Sequence, residues 1–245
     1  MAQGHKPGRS NWNAVLDLIG DPEFLDSRFR GNDNHLMKII KADSKGIKIA
    51  VKYLKAGKAV VYPTDTAYGL GVDATNVEAV RRLYKIKGRS FKKPVHVIVK
   101  NLSIAQKLAI FGNAAEKLFK KFMPVPLTLV SESRILNMEY GRMLSAGTGT
   151  ICVRMPDNRF ALELSRKFGK PITATSANIS GGKTPYTIQD TLSQFQDKKN
   201  QPDLYIDAGK LPSKKPSTVV GLGSGQIKIL RKGPIGLRRI QTAIK

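Results

Sequence analysis

One cysteine, Cys152, among 245 residues excludes an internal disulfide and leaves no companions for a cysteine-rich metal site. It lies in the apolar run Thr150-Ile151-Cys152-Val153 and is expected to be a small buried hydrophobe. Histidine is nearly as scarce. His5, His35 and His96 show no metal-ligand spacing, which argues against a zinc enzyme or a histidine-based catalytic triad. Aromatics make up 7%, too few for an extended platform that stacks single-stranded bases. No apolar run approaches the roughly 20 residues of a membrane helix, and the compact apolar stretch of a secretory signal is missing. A cytoplasmic protein without a membrane partner is expected. Acidic residues are also few, with 18 Asp and Glu against 42 Lys and Arg, a formal net charge of +24. Such a field favours polyanions, so any contact with tRNA or duplex RNA is expected to run through the backbone phosphates.

What is present falls into two parts. Residues 1–36 are polar, aperiodic and rich in turn formers, with four Lys or Arg against five Asp or Glu. They are expected to be a disordered or spurious extension upstream of a start at Met37. From Met37 to Lys245 the pattern is regular. Helices are expected from a Ser44 cap to Gly57, from Thr75 or Asn76 to Gly88, from Ser103 through Phe111, around Leu118–Phe122 and over Phe160–Phe168. Strands are expected at 59–62, 95–99, 127–130, 150–153, 171–174, 204–206, 217–220 and 227–230. Interleaved strands and helices imply an α/β domain layered on a central sheet, with no repeat and no linker to a second domain.

Three familiar motifs fail on inspection. Gly69-Leu70-Gly71-Val72-Asp73-Ala74 matches a relaxed dinucleotide fingerprint, but six residues separate Tyr62 from Gly69 and no acidic residue follows at ribose distance. Gly182-Lys183-Thr184 ends like a P-loop, yet Ala177 stands where its first glycine is needed and Pro185 removes a backbone N–H. The histidines fail as above.

Four polar segments remain. Tyr62-Pro63-Thr64-Asp65-Thr66-Ala67-Tyr68-Gly69-Leu70-Gly71 is a hydroxyl-rich turn after a strand. Lys85-Ile86-Lys87-Gly88-Arg89 is a cationic helix end. Thr148-Gly149-Thr150 leads to Arg154-Met155-Pro156, and Thr175-Ser176-Ala177-Asn178-Ile179-Ser180-Gly181 follows another strand. Ser217-Thr218 and Arg231 close the set. Singly, each reads as a cap, a local turn or a charge on a helix dipole. In this order, with Pro124-Val125-Pro126-Leu127-Thr128, they resemble the YrdC (threonylcarbamoyl-AMP synthase) family over about residues 45–232.

The resemblance implies a twisted open mixed sheet flanked by helices, with a basic concave cleft. It implies that Thr64, Thr66, Arg154 and Ser217 contact L-threonine. It further implies that Lys87 and Arg89 carry the chemistry and that Lys93, Thr150, Ser176, Asn178 and Arg231 hold ATP and the carbonate-derived group. The implied reaction joins threonine, bicarbonate and ATP, with Mg²⁺, into threonylcarbamoyl-AMP and pyrophosphate, for N6-threonylcarbamoyladenosine in tRNA. The transferase complex that modifies tRNA is the implied protein partner. Departures are Lys93 where the family often has Asn, Ile98 where it often has His, and Pro124-Val125-Pro126 for Pro-Gly-Pro. His96 is read as incidental, pointing away from the Ile98 side of its strand. No second domain is expected after Lys245. The rival readings are a non-catalytic double-stranded RNA or tRNA binder, and carbamoyl-adenylate transfer in hydrogenase maturation.

Overall fold

The structure, a computed structural model, describes residues 38–223 and 226–244. The expectation for residues 1–36 lies outside the described residues. In chain order the elements are β1 (Lys38–Lys41), α1 (Ser44–Lys55), β2 (Val60–Pro63), β3 (Tyr68–Gly71), α2 (Val77–Lys87) and β4 (His96–Ile98). Then come α3 (Leu102–Leu108), α4 (Asn113–Phe122), β5 (Leu127–Glu132), α5 (Glu139–Ser145), β6 (Thr150–Arg154) and α6 (Arg159–Phe168). The last are β7 (Ile172–Ser176), α7 (Ile188–Phe195), β8 (Leu204–Asp207), β9 (Thr218–Gly223), β10 (Gln226–Arg231) and α8 (Leu237–Ile244). The ten strands form one open mixed sheet in the order β1-β8-β2-β3-β7-β4-β6-β5-β9-β10.

Helix starts follow from side chains that satisfy the first free N–H groups. Asp43, rather than Ser44, caps α1 by accepting from the Gly46 N–H at 2.7 Å. Asn76 caps α2, Asn101 caps α3, and Thr187 with Asp190 forms a capping box on α7. Gly88 ends α2 in the left-handed region at φ 55°, where a side chain would be strained.

The 62–71 segment, read as a turn, is a hairpin of β2 and β3. Gly71 leaves room for the Tyr62 ring, which crosses the neighbouring strand. A Cβ on Gly71 would stand 2.6 Å from Tyr62 Cε1, whereas one on Gly69 would meet Thr64 Cγ2 at 3.1 Å.

Directly paired residues share a face of a sheet, and that rule separates core from cleft. Val97, Val153, Leu129 and Val220 are register partners in sequence across β4, β6, β5 and β9, and all lie in the main core. Their neighbours form rows on the opposite face. His96 pairs with Ala174 and Cys152, while Ile98 pairs with Arg154, which pairs with Thr128, which pairs with Val219. Arg231 joins this row through a bulge. Ile229 opposes Val220 and Arg231 opposes Val219, so the extra residue in β10 turns Arg231 onto the cleft face.

Candidate active site

The cleft face carries a cavity of about 300 Å³, walled by the ends of several strands and the loops leaving them. Thr64, Thr66, Arg89, Arg154, Ser176, Ser217 and Arg231 all line it. These residues are far apart in the chain, and the sheet topology brings them together.

Each wall group is held by its own contacts. Thr64 folds the β2–β3 turn on itself: its hydroxyl donates to the Ala67 carbonyl at 2.7 Å and lies 3.3 Å from the Thr66 hydroxyl. Arg154 is 7% exposed and pairs with the equally buried Asp65. Asp65 Oδ2 and Arg154 Nε are buried without a protein partner, so the pair leaves hydrogen-bonding capacity unused. Arg231 donates from Nη2 to Ser217 Oγ at 3.0 Å and from Nε to the Ser217 carbonyl at 3.1 Å. Ser217 Oγ also lies 2.9 Å from Thr128 Oγ1. Arg89 is fixed by Nη2, which donates to the Pro94 carbonyl at 2.9 Å.

Four expected residues stand outside the wall. Lys87 is 1% exposed and lies beneath it. Its ammonium donates to the Ser176 carbonyl at 2.6 Å, the Asn178 carbonyl at 2.7 Å and Asn178 Oδ1 at 3.3 Å. Asn178 is itself buried; it accepts from Ser176 Oγ at 2.5 Å and donates to the Gly182 carbonyl at 2.7 Å. Both therefore position the 176–182 turn. The Lys93 side chain is exposed, and only its carbonyl takes part, accepting from Tyr84 Oη at 3.0 Å. Thr150 has its hydroxyl 2.9 Å from that of Thr148, off the wall.

Tyr186, Lys214 and His96 are among the wall residues that were not anticipated. His96 corrects the reading that it is incidental. Residues two apart on a strand share a face, so His96 sits on the side of Ile98 and Arg154. Tyr186 and Lys214 lie on irregular loops, where no periodic signal exists.

Crowded cations set the electrostatics. Burial, then the Arg89 charge, pushes the Lys87 ammonium down to about 7. Burial lowers Arg89 and Arg231 from the usual arginine value, with Arg154 adding to the effect on Arg231. His96 falls to about 3, through burial first and then Arg231, Arg154 and Arg89. Cys152 is pushed up to about 11 by burial and is no nucleophile at neutral pH.

Lys87 gives a testable sign. Its folded value lies below the unfolded one, so between pH 7 and 10.5 the unfolded chain binds more protons and stability rises with pH. The melting temperature of the wild type relative to Lys87→Met should therefore increase across that window. A constant difference would show that Lys87 keeps its proton throughout.

The match to the Sua5/YciO/YrdC family model, described as telomere recombination, spans residues 52–233. The chain belongs to this family. A family relative from Methanocaldococcus jannaschii is 34% identical over 214 residues, covering 86% of this chain and 98% of its own. The threonylcarbamoyl-AMP synthase of Pyrococcus abyssi is 35% identical over 200 residues, covering 81% of this chain and 57% of its own. The structure of P. abyssi Sua5 complexed with L-threonine superposes with a TM-score of 0.77 at 33% identity, over 84% of this chain and 60% of that one. The family fold and the open mixed sheet agree with the expectation. Among the described residues no helix is long and apolar enough to cross a membrane, and no cluster of three His, Cys, Asp or Glu could hold a metal.

Two close backbone approaches tie the Ser217 region to a glycine. A Cβ on Gly233 would come within 2.4 Å of the Thr218 nitrogen and 2.5 Å of the Pro216 carbonyl oxygen. Both contacts are backbone, so relief requires moving the segment that carries Ser217. Gly233→Ala should cost about 1–3 kcal/mol of stability and raise the threonine concentration needed for half-maximal turnover. Unfolding curves and steady-state kinetics would check both.

Proposed function

We propose that the protein forms threonylcarbamoyl-AMP and pyrophosphate from L-threonine, bicarbonate and MgATP, supplying the carbamoyl donor for N6-threonylcarbamoyladenosine in tRNA. The observation that carries this reading is the gathering of Thr64, Thr66, Arg89, Arg154, Ser176, Ser217 and Arg231 around one cavity. The P. abyssi relative is named as this synthase and its structure holds threonine, which supports the same substrate here. A non-catalytic RNA binder would not need this convergence of hydroxyls and guanidinium groups.

The chemistry suits the wall. Threonine's amine captures bicarbonate as a carbamate, and the carbamate oxygen attacks the α-phosphorus of ATP, expelling pyrophosphate. The substrate supplies the nucleophile, so no serine–histidine pair is required. The site must instead align two anions and offset the charge that develops on phosphorus and leaving group. Arg154, Thr66, Thr64 and Ser217 line the cavity and are assigned to threonine. Arg89, Ser176 and Arg231 are assigned to the nucleotide. Lys87 and Asn178 act from beneath by holding the 176–182 turn. Lys93 and Thr150 lie outside the cavity wall. Mg²⁺ arrives on the phosphates of ATP, which fits a cavity built from hydroxyls and cations.

The test is incubation with ATP, Mg²⁺, labelled bicarbonate and threonine. Pyrophosphate should appear together with a labelled adenylate when threonine is present, and not with glycine. Pyrophosphate that ignores threonine or bicarbonate would remove this reading.

A further inference from the structure

We propose that Lys214 binds the β- and γ-phosphates of ATP and offsets the charge that collects on the departing pyrophosphate. The inference rests on the threonylcarbamoyl-AMP reading and deepens it by giving the leaving group a cation of its own.

The wall has cations in number, but few of them are free to respond to a ligand. Among the described residues it carries no Asp or Glu, and its Lys and Arg residues are Arg89, Arg154, Arg231 and Lys214. Three of these are already engaged. Arg154 pairs with Asp65, Arg231 donates to Ser217, and Arg89 donates to the Lys93 and Pro94 carbonyls. Lys214 differs: its ammonium makes no hydrogen bond or ion pair among the described residues. An anion that enters the cavity meets one cation with all of its donors unused.

Its place in the fold suits the outer phosphates. Lys214, Lys215 and Pro216 are exposed, whereas Ser217, three residues on from Lys214, is 1% exposed and accepts from Arg231. The segment therefore runs from the rim of the cavity inwards, and three residues span at most about 10 Å. Arg231 and Lys214 are exposed, while Arg154 is buried. Pyrophosphate must leave to solvent, so the phosphates that depart face the rim. The backbone there is tied at both ends. Leu211 N–H donates to the Tyr186 carbonyl at 2.8 Å, and Thr218 N–H to the Pro126 carbonyl at 2.9 Å. Pro212 and Pro216 restrict the stretch between. A fixed backbone bearing a flexible four-carbon stem lets the ammonium follow a group that moves during turnover.

The step balances without a proton from Lys214. A carbamate oxygen forms its bond to the α-phosphorus, and the bond from that phosphorus to the bridging oxygen breaks. The bonding pair leaves on pyrophosphate, where the Lys214 N–H groups donate to the phosphate oxygens.

The experiment measures ATP and AMP binding, together with pyrophosphate release, for the wild type, Lys214→Met and Lys214→Arg. Lys214→Met should weaken ATP about 10-fold and leave AMP within about twofold, because AMP lacks the phosphates in question. Its kcat should fall about 10-fold, with the KM for threonine within about twofold of wild type. Lys214→Arg keeps the charge and should recover most of both losses. The ratio of ATP to AMP affinity is insensitive to a general loss of folding. Equal weakening of ATP and AMP by Lys214→Met, or no weakening of either, overturns the role of Lys214. A selective loss of ATP in a protein whose wild type releases no threonine-dependent pyrophosphate removes the synthase reading and keeps the phosphate contact.

Discussion

Arg154→Ala is expected to destabilise the fold by about 3–5 kcal/mol, because it strands the Asp65 carboxylate in the interior. The side chains of the pair are 8% and 3% exposed, and Asp65 Oδ2 already lacks a partner. Removing the guanidinium leaves both carboxylate oxygens without a charged donor in a site that water barely reaches. The same variant should lose threonine-dependent turnover. Asp65→Ala combined with Arg154→Ala separates the two effects. The double variant should regain much of the stability, measured by urea unfolding, while staying inactive. If the double variant is as unstable as Arg154→Ala alone, the buried charge is not the cause.

Arg89→Ala has the opposite profile, a large loss of activity with little loss of stability. Arg89 follows the Gly88 cap of α2, is only partly buried, and is held to the Lys93 and Pro94 carbonyls on a surface loop. Its guanidinium lines the cavity and, in the proposed reaction, is assigned to the phosphates. Losing one such donor costs on the order of 3 kcal/mol in the transition state, roughly a 100-fold fall in kcat. Arg89→Lys should recover little, since a point charge cannot reproduce a planar fork held from one edge. Pyrophosphate release and melting temperature together check this. Wild-type kcat in Arg89→Ala would remove Arg89 from the chemistry.

The regular elements were legible where the physical code is local. Helix α2 follows the apolar period from its cap to its glycine stop, the apolar period marks α4 and α6, and β5 and β6 are runs of β-branched and apolar residues. Strand β1 and helices α5, α7 and α8, of four, seven, eight and eight residues, went unread, although the Thr187–Asp190 capping box is a local signal for α7. Short elements depend on packing more than on propensity. Strand β3 was hidden by Gly69 and Gly71, two residues of weak strand preference, of which Gly71 is packed against the Tyr62 ring.

The site was legible as residue types and only partly as positions. Thr64 and Thr66 sit in the turn between β2 and β3, and Ser176 ends β7 where the 176–182 turn begins. Lys87 reads as a surface cation at a helix end, yet it is the side chain turned beneath the 176–182 turn, a fact of tertiary packing. Arg231 reaches the cleft because of a bulge that no local pattern announces. His96 was within reach of the period-two rule, while Lys214 depends on the path of a loop bounded by Pro212 and Pro216.

The central claim is spatial: one basic hollow on one face of the sheet receives both the amino acid and the nucleotide. The most direct measurement is a crystal structure with L-threonine and a non-hydrolysable ATP analogue bound. Threonine should lie against Thr66, Arg154 and Ser217, with the analogue's phosphates on Arg89, Ser176 and Arg231. Density for either ligand on another surface, with this cavity filled only by solvent, would contradict the account.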